Sequence, residues 1–302
     1  MNVYTTVAEM RAALKRARRA GTIVGLVPTM GALHAGHLSL VRAARAQCDF
    51  VVVTIFVNPM QFGPSEDLEK YPRPFAHDRQ LLEGEKVDAL FAPPAKEMYG
   101  EAAEARAGAS APDVQTFVEV PGLSDKLDGH SRPGHFRGVT TVVAKLLHIV
   151  EPDVAFFGQK DAAQVAVLRR MVRDLNFPAE IRVCPIVREA DGLALSSRNR
   201  YLDGQQRQQA LVLHRALVSV QATFENGERD PRRLAEEGRS VIALEPAARL
   251  DSFEIVDPDT LEPLSDLGRP ALVAVAAWIG ATRLIDNLLL GASATATRTH
   301  SR

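Results

Sequence analysis

The stretch Val27-Pro28-Thr29-Met30-Gly31-Ala32-Leu33-His34-Ala35-Gly36-His37 decides how the first half of this chain folds. Residues 23–27 form a short apolar run typical of a buried strand, and residues 38–44 carry apolar side chains at helical spacing. The stretch is therefore a strand-to-helix turn. Such a turn offers unpaired backbone N–H groups and the positive end of a helix dipole, and its glycines allow close approach. We predict that it binds an anion such as phosphate.

The two histidines of this turn, His34 and His37, have more than one interpretation. Histidines near the start of a helix are often solvated or capping residues. A metal site is less favoured, because the chain has no HExxH sequence and no third ligand at a recognisable spacing. Imidazoles can instead donate hydrogen bonds to phosphate and stabilise charge on a leaving pyrophosphate. The pair by itself leaves capping and phosphate binding equally open.

Composition excludes several classes of protein. The 302 residues favour two domains at about 150 residues each. A net charge of −1 lacks the basic excess of nucleic-acid binding proteins, so an anionic ligand is expected to be small. No apolar run approaches the roughly 20 residues that cross a bilayer, and the N-terminus lacks a signal peptide, so we expect a cytoplasmic protein. Cys48 and Cys184 are expected to be buried packing residues.

Strand-like and helical segments alternate from residue 20 to about 186, which predicts a parallel sheet covered by helices, a Rossmann-like doubly wound α/β fold. The predicted strands are 23–27, 50–56, 87–91, 153–157 and 181–185, with an additional strand at 114–120. The predicted helices are 37–47, 74–86, 138–150 and 161–174.

The order of helical and strand-like patterns changes after residue 200. Two long helical patterns, 205–224 and 231–244, precede three strand-like runs at 252–256, 272–279 and 283–288. This order predicts a separate, smaller α+β unit. We therefore expect a first domain at 1–186, a second at 187–290 that acts as a lid, and a disordered tail at 291–302; residues 101–112 are expected to form a mobile surface loop.

Three further segments follow predicted strands. Residues 57–63 offer the amides of Asn58 and Gln61 to a small polar acid. Residues 156–164 repeat the strand-glycine-helix arrangement with Lys160 at the helix start, and residues 193–200 place two serines beside an arginine. Each segment alone could be an ordinary loop. Because ligands bind at the carboxyl ends of the strands in open α/β sheets, we expect the loops after 27, 56, 157 and 185 to converge on one site.

The glycine-rich, basic segment 128–138 could gate the site or neutralise substrate charge through Arg132 and Arg137, although many mobile loops share this composition. The chain contains no Walker A, GxGxxG or GxSxG pattern. Taken together, the four segments predict an enzyme that uses a nucleoside triphosphate and a second small substrate.

The segments PTMGALHAGH (28–37), FVNPMQFG (56–63), YPR (71–73), FFGQKDAAQ (156–164) and VREADGLALSSRNRYL (187–202) closely resemble the pantoate–β-alanine ligases, the pantothenate synthetases of bacteria and plants. The resemblance covers essentially the whole chain before the tail. The HxGH element also resembles the signature of class I aminoacyl-tRNA synthetases and related nucleotidyltransferases.

Site residues follow from this resemblance position by position. It implies catalytic roles for His37, His34, Lys160 and Arg198. It implies pantoate binding by Gln61 and Gln164, with Gln61 also beside β-alanine. Asp78 matches an acidic position linked to Mg²⁺, which rests mainly on phosphate oxygens and water. The implied ATP site consists of Met30, Gly31, Ala32, Leu33, His34, Ala35, Gly36, His37, Gly158, Gln159, Lys160, Asp161, Val187, Leu195, Ser196, Ser197 and Arg198.

The implied reaction joins pantoate to β-alanine through a pantoyl adenylate, with release of pyrophosphate and AMP, by a homodimeric enzyme. One alternative is a nucleotidyltransferase of the same superfamily that stops at an adenylylated or cytidylylated product, because HxGH alone does not separate the two. A second alternative is an RNA-binding module, which the near-zero net charge disfavours.

Overall fold

This computed structural model describes residues 1–63, 66, 68–100 and 114–291. The chain divides into two compact units, one formed by Met1–Val187 with Leu195–Ser197, the other by Arg188–Ala194 with the residues from Arg198 onward. The expected division after residue 186 lies beside the observed one, which additionally returns Leu195–Ser197 to the first unit. The loop expected at 101–112, and all but the first residue of the tail expected at 291–302, lie outside the described residues.

The first unit is built on a parallel sheet. Its strands are β1 (Asn2–Tyr4), β2 (Val24–Thr29), β3 (Phe50–Ile55), β4 (Ala89–Phe91), β5 (Val154–Gly158) and β6 (Glu180–Cys184). They lie in the order β1-β4-β3-β2-β5-β6, and every pair is parallel. Side chains of the central strand β2 are buried on both faces, as expected for a parallel sheet covered by helices.

Helices connect these strands. They are α1 (Val7–Arg19), α2 (Ala35–Arg45), α3 (Phe75–Gly84), α4 (Ala95–Tyr99), α5 (Asp128–Ser131), α6 (His135–Val150) and α7 (Ala162–Asp174). Apolar residues of α2 and α3 join those of the strands in one buried cluster, while α6 contacts α1 and α7. The predicted doubly wound α/β fold is confirmed. None of the helices in the described ranges is long and apolar enough to cross a membrane.

The strand order creates a crevice in the middle of the sheet. From β2 the chain continues outward to β3 and β4, whereas from β5 it continues in the opposite direction to β6. The loops that follow β2 and β5 therefore leave the sheet in opposite directions. Ligands of open α/β sheets bind at such a switch point, at the carboxyl ends of the strands.

One predicted strand of this unit is absent from the structure, and one observed strand was not predicted. The additional strand predicted at 114–120 is wrong, because its backbone bonds to side chains of α6 instead of a strand: the Val118 N–H donates to Thr141 Oγ1 at 3.1 Å, and the Val118 carbonyl accepts from Thr140. The edge strand β1 was missed, since three residues are too short for an alternating pattern to be recognised.

Up to residue 291, the second unit consists of three helices and an antiparallel sheet, which confirms the predicted α+β class. Its elements are α8 (Gly204–Gln209), α9 (Leu211–Glu225), α10 (Pro231–Ala243), β7 (Ala248–Val256), β8 (Ala271–Ile279) and β9 (Thr282–Leu290). The strands lie in the order β7-β8-β9. Helix α10 packs so closely on β7 that no side chain would fit at Gly238. A Cβ added there would lie only 2.0 Å from Cζ of Phe253.

Candidate active site

The turn after β2 is shaped by hydrogen bonds to buried side chains. The Thr29 hydroxyl donates to the Thr54 carbonyl at 2.6 Å and accepts from the Gly31 N–H at 3.1 Å. Gly31 and Ala32 follow with φ angles of +81° and +53°. Two successive residues in this region turn the chain sharply, and glycine carries the conformation without strain. The backbone therefore reverses just before α2 begins.

Asp78, in the first turn of α3, fixes the same turn from outside. Its two carboxylate oxygens accept from the N–H groups of Ala32 and Leu33, each at 2.8 Å, and the residue is only 1% exposed. A Cβ at Gly31 would lie 3.0 Å from Asp78 Oδ2, so the carboxylate also favours glycine there. Asp78 thus stabilises the turn, a role that sequence reasoning missed because the partners are 45 and 46 residues away.

His34 and His37 cap α2 reciprocally. Nδ1 of His34 accepts from the Gly36 N–H at 3.2 Å, and Nδ1 of His37 accepts from the His34 N–H at 3.3 Å. The ring centroids are 4.1 Å apart. Since a nitrogen that accepts from a backbone N–H carries no proton, a neutral ring in this arrangement holds its proton on Nε2. The capping interpretation is correct, and it makes Nε2 the atom through which either ring can donate to a ligand.

The surroundings of His37 lower its pKa and keep the imidazole neutral. Burial, followed by the adjacent His34, lowers the pKa of His37 to about 3; the nearby Asp161 raises it and Lys160 lowers it. Both of these charged residues follow β5. Helix α2, which carries His37, packs against β5, so the turns after β2 and β5 lie beside each other at the switch point.

The turn after β5 supplies charge. Gly158 ends the strand, Gln159–Asp161 form a 3-10 turn, and α7 begins at once. Lys160 Nζ lies 3.5 Å from Asp161 Oδ1, and the side chains are 20% and 51% exposed. Gln164 is the third residue of α7 and is partly buried. The lysine is therefore placed at the crevice with access to solvent.

Leu195–Ser197 return to the first unit, and Leu195 lies beside the start of α2. The Leu195 N–H donates to the Val187 carbonyl at 3.0 Å. Leu195 Cβ would be 3.8 Å from a Cβ added at Gly36, and Ser196 and Ser197 are partly buried. The structure thus brings Val187 and Leu195 to the predicted ATP site. Arg198 begins the chain's return to the second unit, within the 3-10 turn Ser197–Tyr201.

Gln61 lies in the 3-10 turn Pro59–Gln61 that follows β3, and it is 9% exposed. Its Nε2 donates to Met30 Sδ at 2.8 Å, which connects this segment to the turn after β2. Its Oε1 accepts from Nδ2 of Asn58 at 3.1 Å. Gln61 therefore joins the residues that surround the first turn, as the sequence predicts.

The backbone of Gln61 is held by Arg132 and by His135, the first residue of α6. Its carbonyl lies 2.8 Å from Nδ1 of His135 and accepts from Nη2 of Arg132 at 3.2 Å. Burial and the neighbouring Arg132 lower the pKa of His135 to about 4, so the neutral ring donates through Nδ1. Arg132 also forms a bidentate ion pair with Glu66.

These contacts change the interpretation of the basic segment 128–138. Arg132 is neutralised by Glu66 and positions a backbone group, so the expectation that it neutralises substrate charge is not supported by its contacts. Arg137 lies 4.9 Å from the centroid of the Phe117 ring, in a cation–π contact. Both arginines have protein partners in the structure.

The described part of the chain contains no group of three or more His, Cys, Asp or Glu side chains that could hold a metal ion. Asp78, the acidic position that the resemblance links to Mg²⁺, already accepts two amide hydrogen bonds. Its carboxylate oxygens are therefore engaged by the backbone of the turn.

Comparison with known proteins agrees with this geometry. The model of the family described as pantoate–β-alanine ligase matches residues 2–289. The chain is 62% identical over 296 residues to a pantothenate synthetase of Koribacter versatilis, with 98% of each chain covered. It is 53% identical to that of Thermotoga neapolitana, covering 96% of this chain and 100% of the relative.

Solved structures give the same result. The crystal structure of pantothenate synthetase from Thermus thermophilus superposes with a TM-score of 0.87 at 47% identity, covering 95% of this chain and 99% of that one. A pantoate–β-alanine ligase of Francisella tularensis, complexed with β-γ ATP and β-alanine, gives 0.76 at 32% identity, covering 96% and 97%. These matches do not favour a nucleotidyltransferase that stops at the adenylate. The chain belongs to the pantoate–β-alanine ligase family, the pantothenate synthetases.

Proposed function

We propose that this ligase activates pantoate with ATP as a pantoyl adenylate and then transfers the pantoyl group to β-alanine. The observation that carries the proposal is the packing of α2, which begins at His34 and His37, against β5, the strand that leads directly to Lys160. Two imidazole Nε2–H donors, a lysine and a helix dipole together form an environment for phosphate. The Francisella ligase complexed with β-γ ATP supports ATP as the co-substrate.

The proposed nucleotide site draws on four segments of the chain. Phosphates would lie against the N-terminus of α2, with Lys160 as a point charge and Asp161 as an acceptor for a ribose hydroxyl. Ser196 and Ser197 add hydroxyl donors, and Arg198 adds a second positive charge. The complete proposed ATP set is Met30–His37, Gly158–Asp161, Val187 and Leu195–Arg198.

Gln61 and Gln164 would bind pantoate, with Gln61 also next to β-alanine. The contact between Gln61 and Met30 supports this placement, because it puts the amide at the edge of the turn that would hold phosphate. The complex of the Francisella ligase with β-alanine supports β-alanine as the amine substrate. Amides suit this task, since they donate to carboxylate and hydroxyl oxygens without adding charge.

In the first step a carboxylate oxygen of pantoate attacks the α-phosphorus of ATP in line, and pyrophosphate leaves. Negative charge grows on the phosphate oxygens, where His34, His37, Lys160 and Arg198 would stabilise it. The low pKa of His37 means that its imidazole enters this step as a neutral hydrogen-bond donor. A neutral donor stabilises the transition state without requiring a proton from solvent.

In the second step the neutral amine of β-alanine attacks the acyl carbon, AMP leaves, and the amine loses a proton as the amide forms. The mixed anhydride would hydrolyse in contact with water. Closure of the 196–198 segment would exclude water, and we propose that residues 187–290 act as the lid that carries this movement.

Mg²⁺ would enter bound to the phosphates of ATP. The residues described by the structure offer no three-ligand cluster, and both oxygens of Asp78 hold the turn, so any contact of Asp78 with the ion would pass through water. Mg²⁺ usually keeps several waters in such complexes. We therefore derive no step from a protein-bound metal.

We also propose that the enzyme is a cytoplasmic homodimer. Free, buried Cys48 and Cys184 suit a reducing compartment. Light scattering with an in-line size-exclusion column would give the mass of the assembly, and a monomeric mass at micromolar concentration would contradict the dimer.

The decisive experiment separates the two steps. The enzyme is mixed with ATP and pantoate, with and without β-alanine, and pyrophosphate and AMP are followed in parallel. We expect one equivalent of pyrophosphate per active site without β-alanine, and sustained release of AMP only with it. AMP release that does not depend on β-alanine would refute the proposed order of steps, and pyrophosphate release without pantoate would refute the adenylate.

A further inference from the structure

The orientation of the Asn58 side chain is fixed by two backbone groups. Asn58 Nδ2 lies 3.1 Å from the Gly138 carbonyl, which can only accept, and Asn58 Oδ1 lies 3.3 Å from the Met60 N–H, which can only donate. The reverse orientation would place donor against donor and acceptor against acceptor. Because Asn58 is only 1% exposed, water does not relieve such a conflict.

Helix α6 approaches this turn closely enough to make the Gly138 contact possible. A Cβ at Gly138 would lie 2.2 Å from the Met60 carbonyl oxygen and 2.7 Å from the Gln61 nitrogen. Glycine is therefore required for the helix to deliver its carbonyl to Asn58. The polarity of the Asn58 amide thus depends on close packing between α6 and residues 59–61.

Asn58 in turn fixes the polarity of Gln61. Its Nδ2 donates to Gln61 at 3.1 Å, so the atom facing it is Oε1, and the amide nitrogen of Gln61 faces the other way, toward Met30 Sδ at 2.8 Å. A thioether sulfur is a weak acceptor. The Gln61 amide therefore presents N–H donors that a stronger acceptor, such as a substrate carboxylate or hydroxyl oxygen, can use.

Tyr99, at the end of α4, completes this chain of hydrogen bonds. Its hydroxyl donates to Asn58 Oδ1 at 2.9 Å, the shortest contact of that amide, and the residue is 3% exposed. Burial raises the pKa of Tyr99, so the hydroxyl keeps its proton and remains a donor. Tyr99 thus strengthens the orientation that the two backbone groups select.

We propose that Tyr99 is a positioning residue, which acts through Asn58 to hold the Gln61 amide with its N–H groups toward the acid substrate. This inference rests on the proposed role of Gln61 in pantoate binding. It assigns a function to a buried tyrosine 38 positions from Gln61 in sequence, and it predicts that the substrate group at Gln61 is a hydrogen-bond acceptor.

The test is a double-mutant cycle with Tyr99→Phe and Gln61→Ala. Tyr99→Phe keeps the ring and removes one hydrogen bond, so we expect the KM for pantoate to rise about fivefold, as for loss of one neutral hydrogen bond, with the KM for ATP unchanged. Gln61→Ala raises the KM for pantoate further. In the Gln61→Ala background, Tyr99→Phe has no additional effect, because the group that it positions is gone.

Each result has a defined consequence. If Tyr99→Phe raises the KM for pantoate equally with and without Gln61, or raises the KM for ATP as much, then Tyr99 has only a general structural role and the inference is overturned. If Gln61→Ala alone leaves the KM for pantoate unchanged, the proposed binding role of Gln61 fails first. The control is Tyr4→Phe in edge strand β1, which removes the same hydroxyl and should change neither KM.

Discussion

Two strand-to-helix turns lie at the centre of the sheet, one after β2 and one after β5, and they contribute different groups to the site. The turn after β2 is held by Thr29, Thr54 and Asp78 and ends in two capping histidines. The turn after β5 passes through three 3-10 residues into α7, which begins without a side-chain cap, and it carries Lys160 and Asp161.

The difference lies in how each turn can bind an anion. The first offers imidazole and backbone donors whose positions are fixed before a ligand arrives, and the second offers a charge on a side chain that is 20% exposed. Rigid neutral donors lower the reorganisation needed in the transition state, whereas a lysine supplies attraction over a longer range. The turn after β2 therefore supplies fixed hydrogen-bond donors, and the turn after β5 supplies positive charge. A single substitution should remove one of these contributions and leave the other in place.

The largest effect is expected from Lys160→Ala. Loss of the positive charge should lower the adenylation rate by about 10²- to 10³-fold, as for removal of one electrostatic contact to a developing anion. The unfolding midpoint should change little by comparison, because an ion pair with the half-exposed Asp161 contributes about 1 kcal/mol or less. Pyrophosphate release and thermal unfolding measure the two quantities, and Lys15→Ala on the exposed face of α1 is the control. A large loss of stability with normal turnover would show that the lysine is structural.

His37 tests the neutral-donor interpretation. His37→Ala removes the Nε2–H and should lower the adenylation rate by about 10²-fold, whereas His37→Asn retains a neutral N–H donor and should lose less. Single-turnover formation of pyrophosphate measures both variants. His148→Asn, an exposed histidine that packs on Phe177, serves as the control. Equal loss in the Ala and Asn variants would argue that His37 must become charged.

Asp78 tests the rigidity of the first turn. Asp78→Asn leaves one buried N–H, of Ala32 or Leu33, facing an amide NH₂, which should cost about 1–3 kcal/mol of stability. The site should lose activity as a consequence of the displaced turn. Denaturant unfolding measures the change, with Glu83→Gln on the exposed side of α3 as the control. Full stability in the Asn variant would contradict the role assigned to Asp78.

The smallest effect concerns pH. Folding lowers the pKa of His37 from 6.5 to about 3, so between these values the unfolded chain binds an additional proton. The stabilisation is therefore complete above pH 6.5 and is lost as the pH falls toward 3. His37→Asn should make the unfolding midpoint fall less between about pH 7 and about pH 5 than it does in the parent protein. His135 contributes in the same direction, so some slope should remain.

Sequence patterns predicted most of the fold because the decisive signals are local. The apolar run at 23–27, the helical spacing after His37 and the glycine at 158 each locate a strand end or a helix start, and the strands appear where expected. The prediction of an additional strand at 114–120 was wrong because its hydrogen-bond partners are distant in sequence. Its composition suits a strand, but the threonines of α6 supply its hydrogen bonds.

The candidate site was predictable as a set of segments and not as a set of contacts. Motif spacing indicated that His34, Gln61, Lys160 and Leu195 should converge, and the structure brings their segments together around the turn after β2. The contacts of Asp78, Asn58 and Arg132 were not predictable. The contacts that give these residues their roles reach distant parts of the chain: Asp78 to the turn after β2, Asn58 to Gly138 and Tyr99, and Arg132 to Glu66. An isolated aspartate or arginine in a sequence resembles any surface charge.

The sequence by itself determined the alternation of strands and helices, the glycines that permit the turns, and which polar segment follows which strand. Only the tertiary structure decided the uncharged state of His37, the engagement of Asp78 with amides 45 and 46 residues away, and the direction in which Gln61 points its amide. The physical reason is that periodicity and turn chemistry act over a few residues along the chain. Burial, pKa and hydrogen-bond polarity depend on groups that become neighbours only when the sheet and its helices have packed together.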